Sequence, residues 1–264
     1  MPAARVKPFA VGCLLLLVPA AFYGWRGKQT FMDFFLVGFW ALLLSNLYVF
    51  PMYIAGRQDV PFSDALIASW DRALGVEVPE VLKVRQACPS VARFLDYCYI
   101  SLIYFMALAL VVLTLTSKMR AVKEYFIAVL VAAAISIPFF ACFQAVGPWY
   151  YYGFPPDAEQ ERTMRVLFDL KASGWYVFDS DIAGLIALPS FHTVLAVLTG
   201  VALWAVPYLR WFGAALATLI VISTVTTGWH YVSDVLAGLA LVLVAVAAAR
   251  AYTRLETRVA RQPG

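Results

Sequence analysis

Apolar runs long enough to cross a lipid bilayer dominate the chain and restrict what it can fold into. Hydrophobic residues make up 63% of the 264 residues, and charged residues only 14%. A helix needs about 20 apolar residues to cross a hydrocarbon core of about 30 Å. A membrane β-barrel would instead show segments of roughly 10 residues with alternating hydrophobicity. The sequence therefore predicts an all-α, polytopic membrane protein.

Seven segments have the length and composition of membrane-spanning helices: roughly 8–24, 31–54, 94–116, 122–145, 189–207, 211–227 and 230–250. Two further segments are too polar to span. Residues 55–93 carry apolar residues at helical spacing beside charged ones, which predicts amphipathic helices at the membrane surface. Residues 146–188 form the longest polar connection, and connections of this length are commonly functional.

Basic residues in the short connections predict the orientation. GWRGKQT, SKMRAVK, YLRW and the tail RAYTRLETRVARQPG would share one side of the membrane, and together they hold ten Lys and Arg. Short positively charged connections stay in the cytoplasm, so we expect a cytoplasmic C-terminus with 55–93 and 146–188 facing outward. Arg5 and Lys7 oppose this for the first segment. The net charge of +4 bears on topology, and no nucleic-acid partner is expected.

The chain has two histidines, His192 and His230. Each lies near the start of a predicted span, and one span separates these two, so both starts face the same side. Asp234 follows His230 by four residues, a spacing that puts two side chains on one helix face. A carboxylate within a span is costly and usually faces a protein interior or a wet cavity. We therefore expect Asp234 to accept a hydrogen bond from His230 and to orient it.

Several kinds of site fit these residues. The passage from loop to helix at 188–192 offers free backbone N–H groups, which favour an anion such as phosphate beside His192. One histidine would then act as nucleophile and the other as acid. A transporter could instead use His230 and Asp234 as a proton relay. The two histidines with Asp234 could also bind zinc, and a single interfacial histidine is commonly only a polar anchor.

LPSFHT and GWHYVSDVLAG resemble the second and third signature motifs of the type 2 phosphatidic acid phosphatase superfamily. The second motif reads P-S-G-H there, and 189–192 reads P-S-F-H. The third motif reads S-R-x5-H-x3-D, which Ser223, His230 and Asp234 match, while Thr224 stands at the arginine position. The first motif, K-x6-R-P, is not found.

These departures resemble the inositolphosphotransferase branch of the superfamily, which includes inositol phosphorylceramide synthases. DALIASWDRALG and QAVGPWYYYG also resemble stretches of that branch. The resemblance covers roughly residues 60–250. It implies the six-helix core of the superfamily within 31–250, with 8–24 as one extra N-terminal helix, and we treat 1–264 as a single membrane domain.

The resemblance also implies roles for residues. His230 attacks phosphorus and becomes a phosphohistidine, Asp234 orients it, and His192 protonates the leaving oxygen and then activates the acceptor. Ser190 and nearby backbone amides hold the non-bridging oxygens. Such enzymes use no metal and no other cofactor.

The Lys and Arg residues of the superfamily motifs are absent here, so the phosphate would lack its usual positively charged partners. Lys171 is the first candidate to replace them, followed by Arg165 and Arg162, although a solvated loop lysine is an equally good interpretation. Asp179 and Asp181 could bind hydroxyl groups of a polyol acceptor or could simply be solvated.

The expected substrate is a lipid phosphate ester, and the acceptor decides the activity. An alcohol acceptor makes a phosphotransferase, which the motif departures favour. Water makes a plain lipid phosphate or isoprenyl diphosphate phosphatase. We expect an integral protein of a bacterial plasma membrane with the site on its outer side, while the sequence leaves the oligomeric state open.

Overall fold

The computed structural model describes residues 3–173 and 184–260, and within these residues it contains twelve α-helices and no strand. The helices are α1 (Ala3–Trp25), α2 (Gln29–Gly56), α3 (Asp64–Ala73), α4 (Val78–Ala87), α5 (Pro89–Ile100), α6 (Leu102–Leu115), α7 (Met119–Cys142), α8 (Pro148–Tyr151), α9 (Ala158–Ser173), α10 (Phe191–Leu203), α11 (Arg210–Thr226) and α12 (Val232–Val259). The all-α class predicted from the sequence is confirmed.

Each of the seven predicted spans is helical, but they are not equally long. Within the described residues, α1, α2, α7 and α12 are long and apolar enough to cross a membrane, and α5 with α6 forms a fifth candidate bent by 46°. The bend lies at Ser101, whose hydroxyl donates to the Cys98 carbonyl oxygen at 2.7 Å, a type of bond that often bends helices. The apolar helices α10 and α11 are shorter.

A tight turn pairs α1 with α2. Gly27 takes a left-handed conformation with φ of 66°, which glycine adopts without steric cost. Its N–H donates to the Gly24 carbonyl at 3.0 Å, and the Lys28 N–H donates to the Tyr23 carbonyl at 2.8 Å. These two bonds satisfy carbonyls left free at the end of α1. The two helices therefore form an antiparallel hairpin.

Small side chains let α7, α10 and α12 pack closely at the centre of the bundle. Ala128 and Ala132 of α7 belong to the same buried cluster as Ala245 and Ala249 of α12. Both pairs have i, i+4 spacing and therefore form a stripe on one helix face. Small residues are favoured at such contacts because membrane helices gain most from close backbone approach.

The segment 55–93 forms surface helices as predicted, but the inward face of α3 was not expected. Asp64, Ile67 and Asp71 are buried, whereas Leu66 and Trp70 are exposed. The carboxylates of α3 thus face the protein together with Ile67, whereas Leu66 and Trp70 face outward. The predicted connection 146–188 contains α8 and α9, and both pack near the same end of the bundle as α3.

The orientation can be tested by labelling. Ala158 at the start of α9 and Lys118 before α7 are both exposed. We expect Ala158→Cys to react with a membrane-impermeant thiol reagent added to intact cells, because α9 faces outward in the predicted topology. Lys118→Cys should react only after the cells are lysed. Both variants are made in a chain without its four native cysteines, and the opposite labelling pattern would reverse the topology.

Candidate active site

Both histidines line one elongated cavity of about 750 Å³. Its walls come from α2, α6, α7 and α10 and are mostly apolar. At one end it is lined by His192, His230, Tyr99 and Trp149, and its far end reaches Tyr125 of α7. The structure therefore places the two histidines together at one end of a long apolar space, although they are 38 positions apart in the sequence.

His230 lies in the connection between α11 and α12 and is only 4% exposed. Its backbone N–H donates to the Thr224 carbonyl at 3.1 Å, and its Nδ1 lies 3.1 Å from the Ala187 carbonyl oxygen. Because a carbonyl oxygen only accepts, this contact requires a proton on Nδ1. In the neutral ring, Nε2 then carries the lone pair, as a nucleophile requires.

Asp234 does not make the hydrogen bond to His230 that the sequence predicted. Its Oδ2 lies 3.6 Å from Nδ1 of His230, which is too long for a hydrogen bond. The same oxygen accepts from the Tyr231 N–H at 2.9 Å. The physical reason is that α12 begins at Val232, so His230 lies outside the helix and the i, i+4 geometry does not apply. Ala187 orients the ring instead, while the carboxylate of Asp234 remains close to it.

Asp71 of α3 caps the start of α12. Its carboxylate accepts from the Val232 N–H at 2.9 Å, and from the backbone N–H of Ser233 at 2.7 Å and the hydroxyl of Ser233. These are N–H groups that a helix start leaves without partners, and the positive end of the helix favours a carboxylate there. Asp71 is fully buried. It therefore fixes the start of α12, the helix that begins two residues after His230.

Asp64, seven residues earlier on the same face of α3, holds a second loop. It accepts from the backbone N–H groups of Val146 at 3.1 Å and Gly147 at 2.9 Å, and from the Tyr231 hydroxyl at 3.0 Å. Burial raises the pKa of Asp64, while the hydrogen bonds from Gly147, Val146 and Tyr231 oppose that rise. The carboxyl group thus ties the loop before α8 to the residue after His230.

Gly147 allows this loop to approach the His230 loop closely. Its φ is 120°, and a Cβ there would lie 2.9 Å from the Trp229 carbonyl oxygen. The Trp149 N–H donates to the Gly228 carbonyl at 3.2 Å. The buried Trp149 indole Nε1 has no hydrogen-bond partner among the described residues, and this residue lines the cavity. This nitrogen is buried among protein atoms, so it does not face the open part of the cavity.

His192 lies in the first turn of α10. Ser190 is the N-cap of this helix, and its hydroxyl oxygen accepts from the Thr193 N–H at 3.3 Å. The His192 ring stacks on Tyr99 with centroids 4.2 Å apart, and Tyr99 is parallel to Trp229 at 5.9 Å. Tyr99 therefore contacts both the His192 ring and Trp229, the residue that precedes His230 in the sequence. Ser190 is fully buried and serves the helix start, so its predicted phosphate contact stays a prediction.

The predicted basic residues lie less favourably. Neither Lys171 nor Arg165 is among the residues that line the cavity. The Lys171 ammonium donates to the carbonyl oxygens of Gln58 at 3.1 Å and Val60 at 2.7 Å, and burial lowers its pKa. Arg165 is exposed and pairs with Glu161 at 3.2 Å. Their assignment to phosphate binding therefore stays a prediction that these contacts do not support.

Arg162 lies between cavity-lining residues in the sequence of α9. It forms an ion pair with Glu159 of the same helix, and Glu159 lines the cavity together with Gln160 and Thr163. Thr224, at the position of the superfamily arginine, is fully buried, and its hydroxyl donates to the Val221 carbonyl at 2.7 Å. Among the described residues, no Lys or Arg lines the cavity itself.

Two further expectations concern a zinc site and the acidic residues Asp179 and Asp181. Within 3–173 and 184–260, no group of three or more His, Cys, Asp and Glu residues is arranged to hold a metal ion, so the zinc alternative lacks a donor set there. Asp179 and Asp181 lie outside the described residues.

Sequence reasoning missed four residues that shape the site: Asp64, Asp71, Tyr99 and Trp149. One signal for the two carboxylates was present. Asp64 and Asp71 flank Ile67 at helical spacing, so an apolar stripe carries an acidic residue at each end. The contact partners of Tyr99 and Trp149 come from distant segments, and no local pattern indicates them.

Comparison with known proteins gives one finding. A family model described as the PAP2 superfamily matches residues 65–248, well over half of the chain. This range includes both histidines, Asp234 and Asp71, while Asp64 lies one residue before it. The comparisons with curated proteins and with solved structures gave no match.

Replacing Asp71 should weaken the fold at the start of α12. In Asp71→Ala, the N–H groups of Val232 and Ser233 lose their acceptor, and each unsatisfied buried group costs about 1–3 kcal/mol. We expect a clear fall in the thermal unfolding temperature of the purified protein. Asp59→Ala, at an exposed carboxylate, is the matched control. Equal unfolding temperatures for the two variants would show that Asp71 does not hold α12.

Replacing Asp234 by asparagine should separate its two contacts. The amide oxygen can still accept from the Tyr231 N–H, so the unfolding temperature should stay near that of the unmodified protein. The negative charge beside His230 is lost, and we expect activity to fall by about 10²–10⁴, as for other carboxylates that support a catalytic histidine. Turnover close to the unmodified rate would assign Asp234 a purely structural role.

Proposed function

The chain belongs to the PAP2 superfamily, and from this membership, which supports a lipid phosphate phosphatase-type activity, we propose that it transfers phosphoryl groups from lipid phosphate esters through a phosphohistidine on His230. The observation that carries the proposal is the position of both histidines at one end of a long apolar cavity. Such a cavity suits the hydrocarbon part of a lipid, and its histidine end suits the phosphate.

In the first step, Nε2 of His230 attacks phosphorus. A P–N bond forms, the P–O bond to the leaving alcohol breaks, and protonated His192 gives its proton to the leaving oxygen. In the second step, neutral His192 takes the proton from an acceptor hydroxyl, whose oxygen attacks phosphorus as the P–N bond breaks. Both histidines return to their starting states. The Ala187 carbonyl supports these two reaction steps because it keeps the proton of His230 on Nδ1.

Few cations surround the cavity, which favours a particular donor. A phosphate monoester carries a charge of about −1.5 to −2 at neutral pH, whereas a phosphodiester carries a single negative charge. Partial positive charge is available from the start of α10, and Arg162 forms an ion pair with Glu159, which lines the cavity. We propose a phosphodiester lipid as the preferred donor and an alcohol as the preferred acceptor.

The acceptor is tested by measuring two products together. Purified protein is given a lipid phosphodiester or a lipid phosphate monoester, each with and without an added polyol or lipid alcohol. We expect the diester with alcohol to give the fastest turnover, because a bound alcohol is positioned for attack and free water is not. Fast hydrolysis with no phosphorylated alcohol would make the protein a plain lipid phosphatase.

The phosphohistidine is tested by trapping. The chain has two histidines, so a protein-bound phosphoryl group that is labile in acid and stable in base can be assigned with two variants, provided that the purification tag contains no histidine. His192→Gln should retain the label, because only the proton transfers are impaired. His230→Gln should lose it. Label that persists in His230→Gln and disappears in His192→Gln would exchange the two roles.

A further inference from the structure

The cavity has the length of a single hydrocarbon chain. Its lining residues on α7 run from Ile137 to Tyr125, a rise of about 18 Å at 1.5 Å per residue. On α2 they run from Ala41 to Met52, a rise of about 16 Å. One leaflet of a bilayer is about 15 Å deep, half of the hydrocarbon core. The space therefore matches the depth that one lipid chain occupies in its own leaflet.

The cavity also opens toward the surrounding membrane. Leu47, Ile103 and Leu130 line it, and each of them is exposed, by 56%, 68% and 48%. These residues belong to α2, α6 and α7, which form its walls. A chain can therefore enter sideways from the bilayer, while a phosphate at the same end as the histidines keeps its position. This opening points to a membrane lipid rather than to a water-soluble phosphate ester.

Tyr125 closes the far end. A second cavity of about 250 Å³ lies beyond it, lined among others by Ala121, Glu124 and Arg250. Tyr125 lines both cavities, and no other residue in the described part of the chain does. Its ring is 5% exposed, and its hydroxyl accepts from Thr199 at 3.4 Å. The buried ring thus lies between the two spaces and borders both.

Resting on the proposed function, we infer that the cavity takes one hydrocarbon chain of the lipid phosphate substrate and that Tyr125 sets the longest chain it accepts. A hydrocarbon chain that fits moves from the apolar bilayer into an apolar cavity. The affinity for the lipid phosphate therefore changes little with chain length until the longest accepted chain is reached. A longer chain must displace the ring of Tyr125 or bend back. Forcing extra methylene groups into a packed space typically costs about 1–3 kcal/mol, which lowers affinity roughly fivefold to more than a hundredfold.

Two substitutions should move this limit in opposite directions. Tyr125→Ala joins the two cavities and should lengthen the accepted chain by roughly 6 Å, the rise of four residues from Tyr125 to Ala121. Val129→Phe places a ring one turn nearer the histidines and should shorten it by roughly the same amount. Tyr125→Phe keeps the partition and should leave the limit unchanged. Leu241→Ala removes a buried side chain that lines neither cavity, and it controls for loss of stability.

The experiment uses saturated alkyl phosphates with extended chains from roughly 8 to 25 Å, which bracket one leaflet of about 15 Å. Binding is measured by thermal shift in the His230→Gln background, so that it does not depend on turnover, and turnover is measured separately with His230 intact. We expect the longest chain that binds to increase in Tyr125→Ala and to decrease in Val129→Phe. It should remain unchanged in the controls Tyr125→Phe and Leu241→Ala. A limit that is absent, or the same in all variants, would overturn the inference.

The two measurements separate the inference from the proposed function. A limit in binding that moves with Tyr125, without turnover of the alkyl phosphates or of the lipid phosphodiester used to test the acceptor, would support the chain cavity and overturn the phosphoryl transfer. Turnover that is insensitive to chain length in every variant would support the transfer and overturn the role of Tyr125.

Discussion

The buried carboxylates of α3 hold the site together. Burying a carboxylate costs several kcal/mol unless hydrogen bonds replace its water, and here backbone N–H groups do so. Asp71 binds the first turn of α12, and Asp64 binds the loop before α8 and the Tyr231 hydroxyl. His230 lies between these contacts and the Thr224 carbonyl of α11. A short surface helix therefore determines where the imidazole stands, because it connects the elements on both sides of it.

In the proposed reaction, the site relies on positioned dipoles more than on full charges. Ser190 caps the start of α10 and the Ala187 carbonyl contacts Nδ1 of His230, so each holds one polar group in a fixed direction. Positioned dipoles act strongly where water is excluded, since they need no reorganisation during the reaction. Full cations on the cavity wall would also attract free phosphate from solution. A sparse set of cations therefore suits a site whose substrate arrives through the membrane.

The sequence predicted those features that depend on neighbouring residues. Hydropathy located seven apolar helical segments in the described part of the chain, and the two histidine motifs identified His192 and His230, two of the residues that line one end of the cavity. It failed where a contact depends on an exact helix boundary. Asp234 was expected to bind His230, but α12 starts two residues after His230, and the carboxylate caps Tyr231 instead. The buried positions of Asp64 and Asp71 were not predicted either, because periodicity shows that a helix is amphipathic but not which face meets the protein. The inositolphosphotransferase branch stays a prediction, since the family model identifies only the superfamily.

One helix connects the two ends of the cavity. His192 lies in the first turn of α10, and Thr199, two turns later on the same face, donates its hydroxyl to Tyr125. The proton donor of the proposed reaction and the partition at the far end are thus held by one rigid element. Reacting groups must be placed to within a fraction of an ångström for efficient transfer. A lipid chain that rests on Tyr125 would set the height of its phosphate relative to His192, so that recognition of the chain contributes to alignment of the phosphorus atom.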